Sequence, residues 1–76
     1  MKGFAEEINN KLSNNELVIN KAINFHKSGN IIEAEEYYKL LIKKKIFNAK
    51  VLSNYGLICK NKGNYDQSIK LYKKAI

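Results

Sequence analysis

Residues 17–43 read LVINKAINFHKSGNIIEAEEYYKLLIK, and this stretch decides the fold. Apolar and small residues recur every three or four positions on both sides of Gly29-Asn30, which is the spacing of amphipathic helices. Glycine adopts the left-handed conformation that ends a helix, and asparagine is favoured where the next helix starts. The stretch therefore predicts two helices joined by a tight turn.

The same pattern returns 34 residues later, so the chain contains a repeat. Six of the 28 positions that can be compared from Asn15 onward are identical, among them both residues of the Gly29-Asn30 turn. The predicted packing faces also correspond: Val18, Ala22 and Phe25 with Leu52, Gly56 and Cys59, and Ile31, Ala34, Tyr38 and Leu41 with Tyr65, Ser68, Tyr72 and Ala75. We predict an all-α chain of repeated helical hairpins, with repeats at residues 15–48 and 49–76.

Helix starts are marked by capping patterns. We expect capping boxes at three pairs: Ser13 with Glu16, Asn30 with Glu33, and Asn64 with Gln67. Leu12 and Leu17 are spaced as a hydrophobic staple around the first of them. Within residues 1–13, the spacing of Phe4, Ile8 and Leu12 predicts a short amphipathic capping segment over the open end of the first hairpin.

Length and composition limit the function. Seventy-six residues are enough for one domain, and a single cysteine, Cys59, excludes a disulfide framework within the chain. No apolar run approaches the ~20 residues that cross a bilayer, and the N-terminus lacks the apolar stretch of a secretory signal. We therefore expect a cytoplasmic protein with no membrane partner.

Charge is divided unevenly along the chain. Residues 1–38 carry four lysines and six glutamates, whereas residues 39–76 carry ten lysines and the single Asp66. The net charge is thus −2 in the first half and +9 in the second. A surface of this kind binds polyanions at low salt, which leaves nucleic acid open as a partner although no recognition motif is present.

The residues that could perform catalysis do not cluster. His26, Asp66 and Cys59 are the only residues of their types, and they fall on different predicted helices. Catalytic and metal sites need several such groups together. We therefore predict no enzymatic activity, no metal site and no cofactor.

A 34-residue helical hairpin with these small and aromatic positions resembles the tetratricopeptide repeat, whose pattern is W-x₂-L-G-x₂-Y, A-x₃-F and P. The matching positions are Val18, Lys21, Ala22, Phe25, Ala34, Tyr38 and Ile46 in the first unit, and Leu52, Tyr55, Gly56, Cys59, Ser68 and Tyr72 in the second. The tryptophan and the proline of the pattern are absent. The resemblance implies a short right-handed solenoid of about four to five helices, with the second repeat truncated.

The resemblance also implies a concave groove, lined by the first helix of each hairpin, that holds a peptide or a partner helix. By register the groove residues are Ile19, Asn20, Ile23, His26 and Lys27 from the first unit, and Lys50, Ser53, Asn54, Leu57 and Lys60 from the second. Apolar side chains beside lysines favour an apolar, somewhat acidic partner. We expect Asn20 and Asn54 to bond a peptide backbone, since an amide side chain both donates and accepts hydrogen bonds.

Two further hypotheses concern what lies next to the hairpins. Two repeats are fewer than the three that such arrays usually need, so we expect the edge at Leu71, Ala75 and Ile76 to be covered by a second copy. Alternatively, the chain is the N-terminal piece of a longer protein. Arrays of the family precede catalytic domains such as glycosyl- or sulfotransferases, which makes an enzyme fragment a third hypothesis.

Overall fold

The computed structural model describes residues 13–76, and this part of the chain consists of four α-helices. Helices α1 (Asn14–Lys27) and α2 (Ile31–Lys43) form one hairpin, and α3 (Ala49–Asn61) and α4 (Tyr65–Ala75) form a second. The hairpins stack because α3 packs against both α2 and α1. The all-α fold of repeated hairpins is confirmed. The capping segment predicted within residues 1–13, including Phe4, Ile8, Leu12 and the staple, lies outside the described residues apart from Ser13.

Both hairpin turns use glycine as the sequence predicts. Gly29 and Gly63 have φ values of 83° and 84°, the left-handed conformation that an L side chain rarely adopts. Asn30 N–H donates to the Phe25 carbonyl at 2.9 Å, and Gly29 N–H donates to the His26 carbonyl at 3.1 Å. This pair of bonds, repeated in the second turn, satisfies carbonyls that the helix end would leave free.

Side-chain capping differs from the prediction at two of the three helix starts. The Ser13–Glu16 capping box forms, with Glu16 N–H donating to Ser13 Oγ at 3.1 Å. Asn30 and Asn64 are N-cap residues, but their side chains make no capping hydrogen bond, so the boxes with Glu33 and Gln67 are wrong. The tight turns hold both asparagines at ψ near 70°, far from the 161° of Ser13 at which the box closes.

The core lies between the paired helices and continues across the junction between hairpins. Its ten buried hydrophobic residues are Ala22, Ala34, Tyr38, Leu41, Val51, Leu52, Tyr55, Ile58, Cys59 and Leu71. Small residues bring α3 and α4 close together: a Cβ on Gly56 would lie 3.1 Å from Tyr72 Cε1, and Ser68 Oγ donates to the Gly56 carbonyl at 2.8 Å. Both residues lie on the packing faces that the sequence predicts.

Two residues assigned to packing faces are instead exposed. The side chains of Ile31 and Tyr65 are 37% and 62% accessible to solvent. Each is the first residue of its helix, next to the turn. The three- and four-residue spacing alone therefore misplaces both side chains.

Candidate partner-binding cleft

An open cleft of about 220 Å³ lies between α1 and α3. Six of the ten predicted groove residues line it, three from each helix: Ile23, His26, Lys27, Lys50, Asn54 and Leu57. Spacing alone placed these side chains on one face of each helix, but only the stacking of the hairpins brings the two faces together. We call this site the α1–α3 cleft.

The other four predicted groove residues lie on the same two helices but do not line the cleft. Asn20 and Lys60 are exposed to solvent, and Ser53 is half-buried. Ile19 is also half-buried, because part of its side chain packs against the core. The α1–α3 cleft is therefore shorter than the groove that the repeat register predicts.

The lining combines apolar and cationic side chains. Leu57 is 41% exposed and Ile23 half-buried, so both offer apolar surface that a ligand could cover. Lys27 and Lys50 are exposed at the same site, and no carboxylate is among the lining residues. The cleft thus combines apolar surface with positive charge.

A hydrogen-bond network ties the polar lining residues to the core. Tyr38 Oη lies 3.1 Å from His26 Nδ1, and Asn54 Nδ2 donates to the same oxygen at 3.2 Å. Tyr38 itself is 0% exposed. Burial raises the pKa of its phenol, and the hydrogen bond from Asn54 partly offsets that rise. The phenol therefore stays protonated at neutral pH.

Sequence reasoning missed this network. Tyr38 is 12 residues from His26 and 16 from Asn54, spacings that no single helix or turn brings together. The repeat register assigned Tyr38 to the core, and it assigned the other two residues to the groove. No local signal in the sequence joins the two sets.

The two asparagines that recur in the repeat have different surroundings. Asn54 bonds Tyr38, whereas Asn20 is exposed and has no side-chain hydrogen bond within residues 13–76. The residue that corresponds to Tyr38 one repeat earlier is Phe4, which has no hydroxyl group. Asn20 and Asn54 are therefore equivalent in sequence but not in their chemistry.

At the predicted self-association edge, one residue needs correction. Leu71 is only 2% exposed, because its side chain packs into the core instead of facing outward. Ala75 is half-buried and Ile76 fully exposed. Leu71 is thus not available to a second copy, and association through Ala75 and Ile76 stays a prediction.

Residues 13–76 contain no group of three or more histidine, cysteine or carboxylate side chains that could hold a metal ion. Cys59 is 2% exposed, and burial, followed by the Glu35 charge, raises the pKa of its thiol. A thiol that is covered and protonated is a poor nucleophile. None of the helices α1 to α4 is long and apolar enough to cross a membrane.

Comparison with known proteins identifies the family. Two family models described as "Tetratricopeptide repeat" match the chain, one at residues 22–43 and one at residues 49–76. The chain belongs to the tetratricopeptide repeat family. Repeats of this family typically form non-catalytic modules for protein–protein interaction.

One curated relative is the uncharacterized protein YgeG of Escherichia coli (strain K12), which is 38% identical over 52 residues. The match covers 68% of this chain and 32% of YgeG, so it spans about a third of that relative's length. No solved structure matches the chain.

Proposed function

We propose that the protein is a non-catalytic interaction module that holds a peptide or partner helix in the α1–α3 cleft. The observation that carries this proposal is the convergence of six predicted groove residues on one open cleft. The proposed ligand has an apolar side chain that contacts Ile23 and Leu57, and acidic groups near Lys27 and Lys50. The family's general role in protein–protein interaction supports the same function.

The apolar contact supplies most of the affinity in this proposal. Burying apolar surface stabilises a complex by about 25 cal/mol per Å², so an aliphatic side chain placed between Ile23 and Leu57 contributes on the order of 1–2 kcal/mol. The exposed lysines act mainly on specificity and on the rate of encounter, since surface charge pairs are worth ~0–1 kcal/mol each.

The first test introduces repulsion into the cleft. Ile23→Glu and Leu57→Glu place carboxylates where the apolar side chain of the ligand would lie. Peptides selected on the wild-type protein from a display library should bind each variant at least about tenfold more weakly, a loss of ~1.4 kcal/mol. Fluorescence titration measures the affinity, and far-UV circular dichroism verifies that helical content is unchanged.

Matched controls are available elsewhere on the surface. Ile32→Glu and Ile69→Glu make the same chemical change at side chains that are 73% and 52% exposed and do not line the cleft. Both controls should retain wild-type affinity. Equal affinity in all four variants would show that the peptides bind elsewhere.

The second candidate function is polyanion binding by the basic half of the chain. The ten lysines in residues 39–76 favour this function, because Asp66 is the only acidic residue among them. Binding to single-stranded nucleic acid should then weaken steeply with salt, with a log–log slope of about −0.7 per phosphate contact. A peptide held mainly by apolar contact should show a much shallower slope.

A further inference from the structure

We propose that the buried hydroxyl of Tyr38 sets the hydrogen-bonding polarity of the α1–α3 cleft, so that His26 offers a donor and Asn54 an acceptor to a peptide backbone. Tyr38 touches no ligand in this scheme and acts as a positioning residue. The peptide part of the inference rests on the function proposed above; the polarity itself does not.

The first step concerns the proton of the Tyr38 hydroxyl. Within the described residues, Tyr38 Oη has two hydrogen-bond partners, His26 Nδ1 and Asn54 Nδ2. The amide nitrogen of Asn54 can only donate, so the hydroxyl proton is left to bond His26 Nδ1. A buried donor without an acceptor destabilises the fold, which strongly favours this arrangement. His26 Nδ1 is therefore an acceptor, and the neutral ring carries its proton on Nε2.

The second step concerns the atoms that remain. His26 Nε2 and Asn54 Oδ1 have no hydrogen-bond partner within residues 13–76. In the same part of the chain, no buried side-chain nitrogen or oxygen lacks a partner. The two atoms are therefore accessible to solvent, and both belong to residues that line the cleft. The cleft presents one fixed donor, Nε2–H, and one fixed acceptor, Oδ1.

The third step matches this pair to a ligand. An extended peptide exposes backbone carbonyls and N–H groups in alternation, and can satisfy a donor and an acceptor together. A phosphodiester, as in a nucleic-acid backbone, has only acceptors at neutral pH and would face the lone pairs of Asn54 Oδ1. The fixed polarity therefore selects a peptide backbone over the backbone of a nucleic acid, with the apolar side chain of the peptide held by Ile23 and Leu57.

The decisive experiment reads the protonation of His26 directly and needs no ligand. In protein labelled with ¹⁵N-histidine, nuclear magnetic resonance at about pH 9, where histidine side chains are neutral, distinguishes a protonated from an unprotonated ring nitrogen. The wild-type protein should show Nδ1 unprotonated and Nε2 protonated. Asn54→Asp replaces the donor by a carboxylate that only accepts, so Tyr38 should donate to Asp and His26 Nδ1 should become protonated.

Two control variants show whether the response depends on the Tyr38 hydroxyl. Asn20→Asp introduces the same charge at the equivalent repeat position, which lacks a tyrosine partner, and should leave His26 unchanged. In a Tyr38→Phe background, Asn54→Asp should no longer alter the protonation of Nδ1. A protonated Nδ1 in the wild-type protein, or the same response to Asn54→Asp with and without the Tyr38 hydroxyl, would overturn the proposal.

A small probe tests the peptide assignment separately. N-acetyl-leucine N-methylamide carries two peptide bonds and one apolar side chain, and should shift the His26 and Asn54 signals in the wild-type protein and in Asn20→Asp. Its affinity should fall about tenfold in Asn54→Asp, whereas dimethyl phosphate, which has acceptors only, should not shift those signals in the wild-type protein. If His26 has the predicted protonation but only dimethyl phosphate shifts the cleft signals, the polarity stands and the peptide function fails.

Discussion

Tyr55 shows how one buried side chain couples the hairpins and also responds to pH. Its ring stacks on that of Tyr38 across the junction, with centroids 6.1 Å apart and an interplanar angle of 29°. Burial raises the pKa of the Tyr55 phenol to about 12, and the nearby Cys59 and Glu35 add to the rise. Glu35 is itself held by Lys62, whose Nζ donates to both carboxylate oxygens at 3.0 and 3.1 Å.

This environment predicts a loss of stability at high pH. The folded-state pKa of Tyr55 lies above the ordinary value of about 10, so its contribution to stability is complete below pH ~10. Between pH ~10 and ~12 the unfolded chain releases a proton that the folded chain retains, and the free energy of unfolding should fall. Denaturant titrations at a series of pH values would measure the decline.

Two tyrosine variants locate the source of that decline. Tyr55→Phe removes the ionisable group and should flatten the alkaline limb of the stability curve. Tyr65→Phe makes the same change at a side chain that is 62% exposed, and should leave the curve as it is. If Tyr55→Phe declines as steeply as the wild-type protein, other groups must account for the loss, of which the buried Tyr38 and Cys59 are the first candidates.

At the scale of the elements, all three interhelix turns close in the same way although only two contain glycine. After α2, Ile46 N–H donates to the Leu41 carbonyl and Lys45 N–H to the Ile42 carbonyl, each at 2.9 Å. Lys45 takes the left-handed conformation, with φ at 62°. Helix α2 ends at Lys43, so the lysine run Lys43–Lys45 extends from its last turn into the turn that follows.

A left-handed lysine makes this turn a site for stabilisation. Lys45→Gly removes a steric cost of about 1–2 kcal/mol and adds a smaller entropic cost, so the variant should be more stable by ~0.5–1 kcal/mol. Thermal or denaturant unfolding measures the change.

The neighbouring residue provides the control. Lys44→Gly removes the same charge where φ is −80° and glycine relieves no strain. That variant should be neutral or less stable than the wild-type protein. Equal stabilisation of both variants would mean that the benefit comes from reducing positive charge in the lysine run.

At the scale of the whole molecule, the two repeats differ in how well they are covered. Val51, Leu52 and Cys59 are buried in α3, a helix that packs against the first hairpin as well as against α4. Their counterparts in α1 are Leu17, Val18 and Phe25, all of which are only half-buried in the described part of the chain. A cavity of about 340 Å³ on this face is lined in part by Leu17, Val18 and Tyr37.

The amphipathic segment predicted within residues 1–13 stays the candidate cover for this face. Continued backwards, the repeat register aligns Phe4, Ile8 and Leu12 with Tyr38, Ile42 and Ile46. Removal of residues 1–12 should therefore lower the free energy of unfolding and weaken hydrogen-exchange protection in α1 more than in α3.

A chain with Phe4, Ile8 and Leu12 all changed to serine provides the matched variant, since it keeps the length and the charge of the segment. It should lose as much stability as the truncated chain. Unchanged protection of α1 in both would show that the face is left open or is covered by a second copy. Sedimentation of the wild-type protein separates those two outcomes.

The hairpins could be predicted because their signals are local. The spacing of Ala22, Ala34 and Tyr38, and the glycine in each turn, depend only on residues within a few positions, and the structure confirms these assignments. The capping boxes at Asn30 and Asn64 failed because ψ at those residues is set by the closed turn and not by residue type. Leu71 was predicted to be exposed at the self-association edge. Its burial depends on packing with other helices, which the local spacing of residues does not reveal.

The sequence by itself determined the all-α hairpins, the 34-residue repeat and the residues on one face of each helix, because helix periodicity and turn chemistry act over short distances. The tertiary structure decided which of those faces meet. Stacking placed six residues around the α1–α3 cleft and joined His26 and Asn54 through the buried Tyr38 hydroxyl. Such contacts depend on the distance and the angle between separate helices, which side-chain packing fixes only when the whole chain is folded.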